Sequence, residues 1–419
     1  MGPSIAVFGI NSYPEEIGIA PYTSGMVRYL SRNDWQVEFI TGLPHYPAWS
    51  VPGDYQTRWR RNEEFDGVTV TRLRHSVPDH QTAIHRGIYE ATFFANGVTS
   101  RPFRSIPDLF VGVVPSLSGG LLATTYARRY RRPSVIVVQD LMANAAAQSG
   151  ISGGGKAAGA TRMIEGFTLR RADHVIVVAD AFRRSVRDYR VAEDRISEIR
   201  NWSHIGVPSA ERASTRSALG WGEGEQIVLH AGNMGLKQAL EYVIDAAKIA
   251  RHQSPKTRFV LMGGGSQRAM LEERARGLPN VTFLDPQPSE EFPNVLAAAD
   301  VLIVNERRSV IDMSLPSKLT SYFRAGRPVI AAVPDGATAA EIHRSGAGIT
   351  VPAESSEALV GAVLRLAADP ELADQLGAAG RDYAERALGE SAVLSSYDYL
   401  FRSVIERSKL AAVPRVAWQ

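Results

Sequence analysis

The chain has 419 residues, 44% of them hydrophobic and 22% charged, with no cysteine and a net charge of +3. At ~150 residues per domain this suggests two or three domains large enough to bury their own cores; ordinary globular composition excludes a disordered, collagenous or coiled-coil chain. No apolar run reaches the ~20 residues of a membrane-spanning helix, no basic-then-apolar leader is visible, and the missing cysteines exclude thiolate nucleophiles and thiolate metal sites.

Ile5-Ala6-Val7-Phe8-Gly9 reads as a buried strand, followed by a loop over 13–20 and a helix over 22–32. Strands are predicted at 37–41, 68–72, 109–114, 134–139 and 174–178, with helical stretches between the last three. This rhythm implies parallel strands joined by right-handed crossovers. It breaks at 206–225, which reads as a linker, and restarts with strands at 226–230, 258–262, 281–284, 301–304 and 329–332. Residues 356–389 look helical, and a last helix over 392–409 carries Tyr397, Leu400, Phe401, Val404 and Ile405. The charge is uneven along this plan: 1–205 carries net +5 and the remainder −2, and only six of the basic residues are lysines. A mild basic bias favours an acidic ligand or a membrane surface and is too weak to indicate nucleic acid.

Ligands of doubly wound sheets bind beyond the carboxyl ends of the strands, so the loops after strands carry the candidates. Gly18 lies just ahead of the first helix, where a glycine lets a ligand approach the helix N-terminus; a plain strand-to-helix turn is the alternative. Gly264, within Gly263-Gly264-Gly265-Ser266, lacks the Lys-Ser/Thr of a P-loop and reads equally as a ligand loop or a packing turn. In Leu315-Pro316-Ser317-Lys318-Leu319, proline suits a helix first turn, whose free N–H groups attract anions. A lysine there is disfavoured by the helix dipole, and a phosphate would explain it; a solvated lysine is the alternative. Gly232-Asn233-Met234-Gly235-Leu236-Lys237-Gln238 is another glycine-rich loop with a lysine, and the two segments together suit a diphosphate. No H-E-x-x-H, D-x-D or G-x-S-x-G spacing occurs. No metal or other cofactor is therefore expected, and lysines and helix dipoles would neutralise the diphosphate.

Further motifs are Tyr13-Pro14-Glu15-Glu16-Ile17-Gly18-Ile19-Ala20-Pro21, Leu43-Pro44-His45-Tyr46-Pro47-Ala48-Trp49, Val138-Gln139-Asp140-Leu141, Arg200-Asn201-Trp202 and Ala325-Gly326-Arg327-Pro328-Val329-Ile330. With these the chain resembles, over nearly its whole length, the retaining glycosyltransferases of family 4 with the GT-B fold. It is most similar to the branch of colanic-acid and N-acetyl-fucosamine transferases. The resemblance implies an α/β chain of two doubly wound Rossmann-like domains facing a central cleft: an acceptor-binding domain over 1–205, a nucleotide-sugar domain over 206–390, and a helix over 391–419 crossing back to the first domain. It implies transfer of a hexosyl or N-acetylhexosaminyl group, with retention, from a nucleotide-diphosphate donor to an acceptor hydroxyl, with uridine diphosphate (UDP) as the expected nucleotide. The donor would be held by Gly18, Asn233, Lys237, Gln238, Gly264, Pro288, Ser317, Lys318 and Ser321. Asp140 and His45 are candidates to orient the acceptor; a helix cap and a plain loop residue are their respective alternatives. The acceptor would be a glycan, a lipid-linked sugar or a small molecule. A cytoplasmic protein is expected, with a peripheral membrane contact through the N-terminal domain left open. A nucleotide-sugar 2-epimerase and a non-catalytic two-lobed sugar-binding protein are the rival readings.

The chain departs from the family at several points. Aligned on Gly326, Met313 and Ser321 replace two glutamates common in the family, the second of which usually grips the donor ribose. Asn233 and Gln238 fall where a phosphate-loop Arg and Lys are usual, with Lys237 and Lys318 as substitutes. Met142-Ala143-Asn144 and Ser203-His204 depart on the expected acceptor side, and arginines and polar residues dilute the apolar residues of 84–105.

Overall fold

The computed structural model describes residues 2–79, 82–141, 154–203, 206–310 and 318–412. The chain forms two compact units, Met1–Arg200 with Ser391–Gln419, and Asn201–Glu390.

The first unit is built on β1 (Ser4–Phe8), β2 (Gln36–Gly42), β3 (Arg60–Phe65), β4 (Val68–Leu73), β5 (Leu109–Val114), β6 (Ser134–Val138), β7 (His174–Val177) and β8 (Ile196–Glu198). They lie in the order β3-β4-β2-β1-β5-β6-β7-β8, all parallel except β3 against β4. The central strands are apolar throughout because helices cover both faces of the sheet: β5 and β6 are buried at every position. The helices are α1 (Ala20–Arg32), α2 (Ala83–Ser100), α3 (Leu117–Tyr130), α4 (Gly154–Arg171) and α5 (Ala181–Asp188). Thr82 and Ser116 start α2 and α3 by accepting the N–H groups of His85 and Gly119, the usual side-chain N-cap. The edge strand β3, sequence RRNEEF, has no apolar alternation and was not predictable from its pattern.

The second unit contains α6 (Arg212–Ala218), β9 (Gln226–Ala231), α7 (Glu241–Gln253), β10 (Thr257–Met262), α8 (Arg268–Arg274), β11 (Val281–Leu284), α9 (Phe292–Ala298), β12 (Val301–Asn305), α10 (Lys318–Ala325), β13 (Val329–Val333), α11 (Ala337–Ser345), β14 (Gly348–Pro352), α12 (Ser356–Ala368) and α13 (Pro370–Ala387). Its six strands are parallel, in the order β11-β10-β9-β12-β13-β14. Alternate residues feed opposite cores, as the period of a strand requires: Ile227 and Leu229 pack with Leu302 and Phe323, whereas Val228 packs with Phe259, Ile303 and Val363.

The segment 206–225 is not the simple linker expected from its polar composition. It contains α6, and the buried Arg216 fastens it by donating to the Ala298, Gly222 and Glu225 carbonyls at 3.1, 2.8 and 2.6 Å and to Asp300 at 3.0 Å. The last helix, α14 (Glu390–Ala412), packs on the first unit. There Trp35 Nε1 donates to Asp398 at 2.6 Å and Arg402 to the Asn33 carbonyl at 3.0 Å, while Phe401 meets the Trp35 ring edge-on. Among the described residues no helix is long and apolar enough to cross a membrane.

Candidate functional site

In the second unit the chain moves from β9 to β10 and β11 on one side, then returns to β12 on the other. The ends of β9 and β12 therefore border the switch point where such sheets bind ligands. Three loops are tied together there. Gly232 N donates to the Met262 carbonyl at 2.8 Å, Met234 N to the Gly264 carbonyl at 2.7 Å, and Gly263 N to the Leu284 carbonyl at 3.0 Å. The packing requires glycine at 263, where φ is +137° and a Cβ would lie 2.0 Å from the Gly232 oxygen. Helix α7 begins only at Glu241, because residues 236–238 form a tight turn in which Gln238 Oε1 accepts from Gly235 N at 3.1 Å.

Helix α10 is clamped to the end of β9. Tyr322 Oη accepts from Ala231 N at 2.8 Å and donates back to its carbonyl at 3.2 Å. Lys318, one turn earlier, is thereby brought over the β9 loop, with Nζ 3.5 Å from His230 Nε2 and 3.3 Å from the place a Cβ on Gly232 would occupy. Burial and the neighbouring ammonium keep His230 neutral, and its Nε2 also lies 3.4 Å from the Asn233 carbonyl. Desolvation pushes the Lys318 amine down to about 8, opposed by Glu306. Glu306 follows β12, is 9% exposed, and accepts from Thr338 Oγ1 at 2.8 Å. Burial pushes its carboxyl up to about 7, against the pull of Thr338, Lys318 and Lys237. Neither His230 nor Glu306 stood out in the sequence.

The structure does not bring all the other expected donor contacts to this point. Asn233 and Lys237 are exposed on the β9 loop, Gly264 faces open space, and Ser321 is buried on α10. Pro288 follows the edge strand β11, two strands from β9, and its carbonyl starts α9 by accepting from Phe292 N at 2.9 Å. Ser317, Pro316, Met313, His204 and 142–144 lie outside the described residues.

The first unit has its own switch point between β1 and β5. Gly18, with φ +71°, lies in the exposed part of the loop after β1. Glu15 in the same loop accepts from His45 N at 2.8 Å, Tyr46 N at 2.9 Å and Asn11 Nδ2 at 2.8 Å, coupling the β1 and β2 loops. His45 is only 3% exposed. Its Nδ1 lies 2.7 Å from the Leu43 carbonyl, which can only accept, so Nδ1 carries the hydrogen and Nε2 accepts from Tyr89 Oη at 3.1 Å. Both nitrogens are engaged and burial lowers the imidazole pKa, so His45 serves the loop scaffold and is not presented as a free base. Arg72 is buried beneath, bonded to Glu63 at 2.6 Å, Ser12 Oγ at 2.9 Å and the Tyr13 carbonyl at 2.5 Å. Asp140, half-exposed just after β6, accepts from Leu141 N at 2.8 Å; residues 142–153, which a helix cap at Asp140 would serve, lie outside the described residues. Among the described residues no three His, Asp or Glu side chains are grouped so as to hold a metal ion.

Residues 18–202 match the glycosyl transferase 4-like domain, and residues 211–383 match the glycosyl transferases group 1. WcaI of Escherichia coli K12, named as a glycosyl transferase of colanic acid biosynthesis, is 30% identical over 408 residues, 94% of this chain and 98% of its own. The solved sucrose-phosphate synthase of Thermosynechococcus elongatus superposes with TM-score 0.74 at 19% identity, covering 97% of this chain and 100% of that one. HepE of Anabaena, solved in complex with UDP, superposes with TM-score 0.70 at 14% identity, covering 96% and 100%. Two switch points on two mainly parallel sheets, a domain match to each half and a full-length relative agree: this chain is a GT-B glycosyltransferase of group 1 with a family 4-like N-terminal domain.

Proposed function

We propose that the protein transfers a hexosyl or N-acetylhexosaminyl group from a UDP-sugar to an acceptor hydroxyl with retention, the donor on the second unit and the acceptor on the first. The observation that carries this is Lys318, held over the glycine-rich loop at the end of β9, a cation placed for a diphosphate. HepE of Anabaena, solved with UDP and with UDP-glucose, supports the choice of nucleotide. The charge that develops on the leaving diphosphate would be met by Lys318 and Lys237, fixed charges that the fold sets in place before the bond breaks. With the sugar transferred on the face it leaves, the departing phosphate can take the acceptor's proton, and no side-chain base is assigned.

The test is a thermal-shift panel of nucleotides and nucleotide sugars. A ligand at 100 times its Kd should stabilise the protein by about 2.7 kcal/mol. UDP and one UDP-sugar should shift the melting temperature where adenosine diphosphate does not. No shift with any nucleotide would remove the proposal in favour of a non-catalytic sugar-binding protein, and conversion of the UDP-sugar without acceptor would favour an epimerase.

A peripheral membrane contact through the first unit belongs to the same proposal, supported by α2. Ile84, Ile88 and Val98 are 75%, 45% and 40% exposed at spacings that share one helix face, and the exposed Arg101 and Arg104 follow. The protein should sediment with vesicles rich in anionic phospholipid and not with neutral ones, and Ile84→Ser with Ile88→Ser should abolish most of that binding. Equal binding by the double variant would exclude α2 as the contact.

A further inference from the structure

Away from its switch point, the first unit carries a groove that the transfer reaction does not use. An open cavity of about 540 Å³ lies between α4 and the end of α5, lined by Arg162, Met163, Arg170, Asp188, Tyr189 and Arg190. Arg170 and Arg190 come shortly before β7 and β8, so the groove reaches the amino ends of the strands, opposite the ends where ligands of such sheets bind. Residues 162, 163, 166 and 170 recur at helical spacing and share one face of α4. Gly166 shapes that face. A Cβ there would lie 2.7 Å from Tyr189 Cδ1 and 3.0 Å from Arg170 Nη1, so glycine is kept in a helix interior, where it is unfavourable, to let the ring lie against the helix. Tyr189 Oη donates to Glu165 at 2.5 Å and fixes the ring. The Arg162 guanidinium stands 5.5 Å from the ring centroid, and Arg170 Nη1 donates to the Tyr189 carbonyl at 3.4 Å.

Nearby on α5, Arg183 pairs with Asp180 at 3.0 Å and Glu193 at 2.7 Å, and Arg187 with Glu193 at 3.6 Å. Among the described residues no ion pair joins Arg162, Arg170 or Arg190 to a carboxylate, that of Asp188 included. Three exposed guanidiniums thus face one concavity against a single aspartate, and their planar forks match phosphate oxygens. Beside them on α4, Met163 and Phe167 lie one turn apart and are 68% and 42% exposed. Helix α4 also shares a layer with α2, because α3 lies between the two. A Cβ on Gly97 of α2 would meet Leu122 of α3 at 2.6 Å, and one on Gly120 of α3 would meet Thr168 of α4 at 2.8 Å. We propose that the groove binds the phosphate of an anionic phospholipid headgroup, with Met163 and Phe167 entering the acyl boundary beside it. This rests on the membrane contact proposed for the first unit and adds to it the site that recognises the lipid. Basic residues supply attraction to an anionic surface and apolar ones supply anchorage, and α4 carries both side by side. A free phosphate ester would engage the arginines and leave the apolar pair in water.

The experiment is sedimentation with vesicles of equimolar phosphatidylglycerol and phosphatidylcholine. Arg162→Gln with Arg190→Gln should weaken binding about 25-fold, because one basic residue near an anionic surface is worth about fivefold. Arg28→Gln with Arg32→Gln removes the same charge from α1, which the right-handed crossover from β1 to β2 places on the other face of the sheet; screening should hold its effect below about threefold. A melting temperature equal to that of the wild type shows that the groove pair is folded. Equal losses in the two pairs, or no loss in the groove pair while Ile84→Ser with Ile88→Ser abolishes binding, would overturn the proposal and leave the α2 contact standing. Stabilisation of the wild type by glycerol 3-phosphate that is absent from the groove pair, with vesicle binding unchanged, would assign the groove to a soluble phosphate ester and overturn the lipid. No sedimentation of the wild type with these vesicles would overturn the membrane reading, and this inference with it.

Discussion

Alanine at Lys318 should weaken UDP binding by about 10- to 100-fold, because a hydrogen bond to a charged group contributes ~1.5–3 kcal/mol. Isothermal calorimetry at neutral pH measures this directly, and an unchanged affinity would remove Lys318 from the diphosphate site. The same substitution should leave the melting temperature near or above that of the wild type. Burial holds the Lys318 amine near 8 in the folded chain, against an ordinary value of about 10.4. The unfolded state therefore binds the proton more tightly, and at neutral pH the charge works against folding. That penalty shrinks as pH rises through 8 toward 10.4. A residue kept for packing would show the opposite pair of effects, a loss of stability with no loss of nucleotide affinity. The two readouts together separate a binding lysine from a structural one. Lys237, exposed on the β9 loop, should give a smaller loss because its ammonium begins in water.

Lys318 and the glycine loops were legible in the sequence because their signals are local. A lysine in a helix first turn and glycines between a strand and a helix stand out locally, because the helix dipole disfavours the one and a bound anion would account for both. The parallel strands were legible for a related reason, since strands covered on both faces appear as unbroken apolar runs such as LFVGVV and SVIVV. The parts that escaped depend on residues far apart in the chain. Glu306 lies 32 residues from Thr338, and only the crossover from β12 to β13 brings them to the same sheet end. Arg216 holds α6 through partners up to 84 residues away, so α6 needs no apolar stripe and its segment reads as a linker. His45 shows the opposite failure. A histidine in a loop beside a predicted site suggests chemistry, but its two nitrogens are occupied by Leu43, two residues away, and Tyr89, 44 residues away.

Glu15→Ala should have the largest structural effect in the first unit, and an effect confined to it. The Glu15 carboxylate is buried and collects two backbone amides and one side-chain amide. Alanine removes all three acceptances at once and leaves the amides of His45 and Tyr46 with no acceptor in place of the carboxylate. Each buried donor left unmade costs ~1–3 kcal/mol, so a loss of about 2–5 kcal/mol is expected, enough to lower the melting temperature of a domain this size by several degrees. Hydrogen exchange should show where it goes: protection at His45 and Tyr46 should fall steeply, while the second unit, with its UDP affinity, should stay within about twofold of the wild type. Glu15→Gln keeps one acceptor oxygen for the two backbone amides and lets Asn11 turn its own amide to meet the new NH2 group. It should recover most of the protection. This ordering distinguishes a hydrogen-bonding role from a need for charge. If Glu15→Gln is as damaging as Glu15→Ala, the negative charge itself holds the β1 and β2 loops. If neither variant alters exchange at His45 and Tyr46, the two loops are set by the Arg72 contacts beneath them, and Glu15 does not couple them.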